Sequence, residues 1–143
     1  LGDSVWRYPF FISLGLTYLA FAATGLFPIN VYHLHIIAIK YFFIFGCCSL
    51  VSYIGFQLMG KEARFSILTQ ISALVAFVSM SAFLLLPLLS LDLTEGDGAF
   101  YNEMLLAPFR PEMWWPAVVQ WIGVATFLTW SALVIKDLKK TFH

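Results

Sequence analysis

The sequence predicts an all-α integral membrane protein, built as a four-helix up-down bundle with both termini in the cytoplasm. Two observations predict this class. The chain has 143 residues, of which 61% are hydrophobic and only 11% charged, whereas soluble domains are about 45–50% apolar and about 25% charged. Its apolar residues also form four stretches, each long enough for the roughly 20 helical residues that cross a bilayer. We therefore expect a single transmembrane domain over residues 1–143.

Each break between the predicted helices has a local chemical reason. The helices are expected near residues 8–27, 31–58, 65–90 and 114–135, with a long outer loop at 91–113. Pro28 and Asn30 favour a tight turn after the first helix, and the charged run 60–64 separates the second helix from the third. Pro116 suits the first turn of the fourth helix, where its missing N–H costs nothing.

The basic residues predict how the helices are oriented. The turn after the first helix and the outer loop 91–113 lie on one side of the predicted bundle. Arg110 is the one Lys or Arg in these two segments, and the acidic residues of the loop lie around it. Six basic residues fall on the other side: Arg7, Lys61, Arg64, Lys136, Lys139 and Lys140. The positive-inside rule places that second side in the cytoplasm, which means the inner membrane if the cell is bacterial. The net charge of zero gives no support for nucleic-acid binding.

Lys40 is the first candidate functional residue, because it lies about nine residues inside the second predicted helix. A charge at that depth is costly unless it is paired or faces water. His33 and Cys47 are spaced seven residues from Lys40, which places all three on one helix face. No acid lies in the four predicted helix ranges, so a partner for Lys40 is expected from the outer loop or another subunit. Either this face meets a cofactor or proton path, or Lys40 and His33 reach outward to the headgroups.

His33 and His35 open the second helix and, with Lys40, are the predicted cofactor-binding residues. Two helical residues in this spacing point about 200° apart, so they cannot bind one ion together. The remaining histidine, His143, is expected on the opposite side of the membrane. A heme held by two ligands of this chain alone is therefore disfavoured, and a heme or quinone at an interface with a partner subunit is favoured. No metal site is predicted, and Cys47 and Cys48 are expected as small buried residues.

The histidines also belong to a longer pattern. The first helix ends in Gly-Leu within residues 24–27, a turn follows, and His-x-His opens the next helix at 32–35, before a glycine at 45–46. This pattern resembles the short four-helix relatives of the heme–copper oxidase catalytic subunit, over about a fifth of the chain. The resemblance implies that His33 or His35 is an axial heme ligand.

These observations predict a small multi-pass subunit of a larger membrane complex, respiratory or otherwise engaged in electron transfer. It would stabilise neighbouring subunits and line a quinone or heme site, with other membrane subunits and lipid as partners. The chain carries no Gly-x-Ser-x-Gly or His-Glu-x-x-His motif, so catalysis by this chain alone is not expected. Two alternatives stay open: a small oligomeric ion or proton transporter or channel that uses Lys40 and His33, and a heme-binding membrane cytochrome.

Overall fold

The computed structural model describes residues 5–27, 32–59, 65–89 and 115–141, which form four α-helices and no strand. The helices are α1 (Arg7–Leu26), α2 (Tyr32–Met59), α3 (Ile67–Leu89) and α4 (Trp115–Thr141). Each contains a stretch that is long and apolar enough to cross a membrane. The predicted all-helical class with four candidate spans is thus confirmed. The predicted outer loop, 91–113, lies outside the described residues.

Contacts between helix ends show that sequential helices run antiparallel. Trp6, just before α1, donates from Nε1 to Met59 Sδ at the end of α2, at 2.9 Å. The backbone N–H of Ser66, just before α3, donates to Asp137 Oδ2 near the end of α4, at 2.9 Å. Phe56, near the end of α2, packs against Phe65, just before α3, with ring centroids 6.1 Å apart. One end of the bundle therefore holds the starts of α1 and α3 and the ends of α2 and α4. We call it the basic end, after Arg7, Lys136, Lys139 and Lys140, and the other the histidine end, after His35.

Aromatic rings fill the centre of the bundle. Seven of them, among the described residues, are at most 2% exposed: Phe10, Phe42, Phe43, Tyr53, Phe83, Phe127 and Trp130. Phe43 of α2 stacks on Phe83 of α3 with ring centroids 4.2 Å apart. Phe42 meets Phe127 of α4 edge to face at 5.6 Å. Such pairs each contribute about 0.5–1.5 kcal/mol beyond their buried area, so these rings join three helices into one core.

Small residues allow the helices to approach this core. Ser13 and Thr17 on α1 are buried, and both hydroxyls donate to backbone carbonyls of their own helix. A Cβ atom added at Gly123 of α4 would lie 2.7 Å from Phe43 Cε1, which is closer than two carbon atoms pack. Only a glycine therefore fits here without moving the ring. Close approach at small residues is how helices associate where water supplies no driving force.

The fourth helix is longer than the sequence predicted, and this corrects one expectation. The prediction ended it near residue 135, where Lys136 and Asp137 interrupt the apolar stretch, but the helix continues to Thr141. Nothing in this segment breaks a helix, and Leu138 still packs against the core. Asp137 therefore lies inside a helix, although the predicted helix ranges contained no acid.

Candidate functional site

A cavity of about 290 Å³ lies near the histidine end, between α1, α2 and α4. Its lining is aromatic and aliphatic except for three polar side chains, those of Thr24, His35 and Gln120. Small-molecule sites in proteins have volumes of about 300–1,000 Å³ and this same composition, mostly apolar with a few polar groups. A cavity of about 150 Å³ holds benzene, so this one has room for a substituted aromatic ring.

The ring of His35 is fixed by one hydrogen bond. Its Nδ1 lies 2.8 Å from the carbonyl oxygen of Phe27, the residue that follows α1. A carbonyl only accepts, so in the neutral ring Nδ1 carries the proton and Nε2 keeps its lone pair. Carbonyls at the end of a helix lack partners within that helix, and His35 supplies one from α2. The bond orients the ring and makes Nε2 a hydrogen-bond acceptor.

The other two polar groups of the cavity come from α1 and α4. The hydroxyl of Thr24 donates to the carbonyl oxygen of Phe21 at 2.6 Å, so its oxygen is left with acceptor capacity alone. Gln120 is half-buried, and its amide offers both donors and an acceptor. Two of the side chains that line the cavity thus keep an acceptor atom available, and the amide of a third adapts to either role.

The other predicted site residues do not gather at this cavity. His33 lies in the first turn of α2, but its side chain is outside the described part of the structure. Lys40 lies on the exposed surface of α2 and does not line the cavity. Cys47 is half-buried, with Sγ 3.8 Å from Ser81 Oγ on α3. The expectation that both cysteines are buried was wrong for Cys48, which is exposed.

A second polar cluster, which the sequence pattern did not predict, lies at the basic end. Asp137 is only 8% exposed, and its Oδ2 accepts hydrogen bonds from the Ser66 N–H at 2.9 Å and from Thr69 Oγ1 at 2.6 Å. Ser66 Oγ also accepts the N–H of Thr69 at 3.3 Å. A serine before an apolar run is a sequence signal for a helix start. Nothing in the sequence indicated that a carboxylate from α4 would help to cap α3.

Two buried polar atoms lie in the core near this cluster. Tyr53 Oη and Trp130 Nε1 have no hydrogen-bond partner among the described residues. Their rings pack edge to face with centroids 5.4 Å apart, and Tyr53 is close enough to Asp137 to interact with its charge. A buried group without a partner costs about 1–3 kcal/mol.

Comparison of the chain with protein-family models, with curated proteins and with solved structures finds no match. The resemblance to the heme–copper oxidase relatives therefore stays a prediction. Within the described ranges, no three residues of the types His, Cys, Asp and Glu are grouped as metal ligands. Fold and site together define a four-helix protein with helices long and apolar enough to span a membrane and a ring-sized cavity at one end.

Proposed function

We propose that this protein is a small multi-pass subunit of a larger membrane complex engaged in electron transfer, and that its cavity holds a quinone-type ring. The observation that carries this proposal is the cavity at the histidine end. It combines a largely apolar lining with a histidine whose ring is already oriented. A quinone-type ring, oxidised or reduced, has the matching chemistry, because the ring is flat and apolar and its oxygen substituents form hydrogen bonds.

The outer surface of the bundle supports a place among lipids or other membrane subunits. Large apolar side chains point outward along all four helices, including Leu19, Ile54, Leu74 and Ile122. Continuous apolar surface of this kind marks contact with a membrane or another protein. With the basic end in the cytoplasm, as the positive-inside rule predicts, the cavity opens near the outer face of the membrane.

A heme-bearing cytochrome is the second candidate, and the same hydrogen bond favours it. Histidines that bind a metal usually donate their other ring N–H to a carbonyl or carboxylate, as His35 does to Phe27. The cavity lining contains a single histidine, so a second axial ligand would come from a partner subunit or from a residue outside the described ones. Lys40 faces outward on α2, so the transporter alternative would need several copies of the chain around a pore.

Native purification from the source membrane tests the subunit assignment. The chain is tagged, extracted in a mild detergent and separated on a native gel, and mass spectrometry identifies the co-migrating chains. An absorption spectrum is taken of the same band. Co-migration with oxidoreductase subunits is the expected result. A colourless homo-oligomer would contradict the subunit assignment, and a Soret band lost in His35→Ala would favour the cytochrome.

A further inference from the structure

We infer that the cavity selects the reduced, hydroxyl-bearing form of its ring ligand, a hydroquinone, over the oxidised quinone. This inference rests on the proposed function, since it takes the cavity to be the site of a quinone-type ring. It goes further by stating which redox form binds and which side chains discriminate between the two forms.

The hydrogen-bonding roles in the cavity carry the inference. In the neutral ring of His35, the proton on Nδ1 is donated to the Phe27 carbonyl oxygen, so Nε2 can only accept. The hydroxyl of Thr24 donates its proton to the Phe21 carbonyl oxygen, so Oγ1 can only accept a further hydrogen bond as well. Quinone oxygens are also acceptors only, and an acceptor placed against an acceptor leaves both unpaired. Hydroquinone hydroxyls donate, and therefore satisfy both groups.

The apolar lining supplies affinity without selectivity. Phe21 and Trp121 contribute accessible aromatic surface to the wall, and a flat ring packs against such surface in either redox form. Gln120 can turn its amide to pair with a carbonyl or a hydroxyl. Discrimination is thus left to His35 and Thr24. One mismatched buried hydrogen bond changes binding by about tenfold to a hundredfold, which sets the expected preference.

Binding to the intact chain in lipid nanodiscs tests the inference. Trimethylhydroquinone and trimethylbenzoquinone are compared by equilibrium dialysis under anaerobic conditions, and empty nanodiscs give the partitioning into lipid that is subtracted. We expect the hydroquinone to bind the wild-type chain about tenfold to a hundredfold more tightly. The readout is the ratio of the two Kd values, which is insensitive to the fraction of folded protein.

Variants separate recognition from structural support. Thr24→Val removes one acceptor and should lower the ratio several-fold, and His35→Leu should lower it about tenfold. Thr129→Val is the matched control, because that hydroxyl also donates to its own helix, at 2.8 Å from the Ala125 oxygen, but lies outside the cavity. If His35→Leu does not fold, Thr24→Val still decides. A role in stability alone would weaken binding of both forms and leave the ratio unchanged.

The outcomes distinguish this inference from the proposed function. Equal affinity for the two forms, tighter binding of the quinone, or a ratio unchanged in both cavity variants would overturn the selectivity and leave the cavity assignment standing. Binding of neither form would overturn the cavity assignment itself, and the inference with it. A preference for the hydroquinone that falls in Thr24→Val and not in Thr129→Val supports both.

Discussion

The cluster at the basic end makes a quantitative prediction about the stability of the bundle. Thr69→Val removes a hydroxyl that is fully buried and donates to Asp137 Oδ2 at 2.6 Å, with little change in side-chain shape. A hydrogen bond to a charged group contributes about 1.5–3 kcal/mol, so we expect the free energy of unfolding to fall by that amount. Asp137→Ala also removes the acceptor of the Ser66 N–H at the start of α3. Adding about 0.5–2 kcal/mol for a lost helix cap gives a total of about 2–5 kcal/mol.

The double variant is the sharper part of the prediction. Since Thr69 acts through Asp137, removing both groups should cost less than the sum of the single effects. Residues that share one hydrogen-bond network couple by about 0.5–3 kcal/mol, and we expect about 1–2 kcal/mol here, because a single strong bond joins the pair.

Equilibrium unfolding in a mild detergent, followed by circular dichroism as denaturant is added, measures these quantities. Thr129→Val serves as the control, because that threonine is exposed and bonds only within α4, and surface changes are usually within about 0.5 kcal/mol. A loss below about 0.5 kcal/mol for Thr69→Val, or strictly additive single effects, would refute the assignment of this cluster as a clamp between α3 and α4.

Three further predictions concern the core and use the same unfolding assay. Gly123→Ala should cost about 1–3 kcal/mol, because its new Cβ meets the Phe43 ring at 2.7 Å, whereas Gly15→Ala, with nothing within 4 Å, should not destabilise the bundle. The reverse order would contradict the packing of α2 against α4. Phe127→Ala should cost about 3–5 kcal/mol, since a fully buried ring leaves a cavity; a cost below about 1 kcal/mol would show that this ring is not central. Tyr53→Phe should leave stability unchanged or raise it, because the hydroxyl has no partner within the described residues, and a clear loss would mean that the hydroxyl is hydrogen-bonded.

The helical class was predictable because the signal for it is local. A run of about 20 apolar residues with few charges has few structural choices. The same signal placed the end of the fourth helix too early, because it detects where the apolar residues end and not where the helical backbone ends. Asp137 lies in the segment that this error excluded, so its role as a cap for α3 was also missed. The hydrogen bond from Thr69 to the Asp137 carboxylate joins residues 68 positions apart. Such a contact does not change the hydrophobic periodicity of either segment.

The candidate site was predictable only in part, again for a physical reason. His35 stood out because a titratable ring is rare in an apolar stretch, and it does line the cavity. Lys40 stood out for the same reason but lies outside the cavity, on the exposed surface. Thr24 and Gln120 were not recognised, because they belong to other helices. When every face of a helix is apolar, periodicity does not show which side faces inward.

The two ends of the bundle are built by different means, and this bears on where a ligand can bind. At the basic end, Asp137 joins α3 to α4 by hydrogen bonds, and the polar atoms of Tyr53 and Trp130, packed ring against ring, find no partner within the described helices. At the histidine end, the bond between His35 and Phe27 connects α1 to α2, but the described side chains leave a cavity beside it. A cavity of this size costs stability, since its lining forgoes packing contacts. The bundle tolerates that cost because the aromatic core and the basic end hold the four helices together, and this is why we propose the histidine end as a place where a ring enters without unpacking the fold.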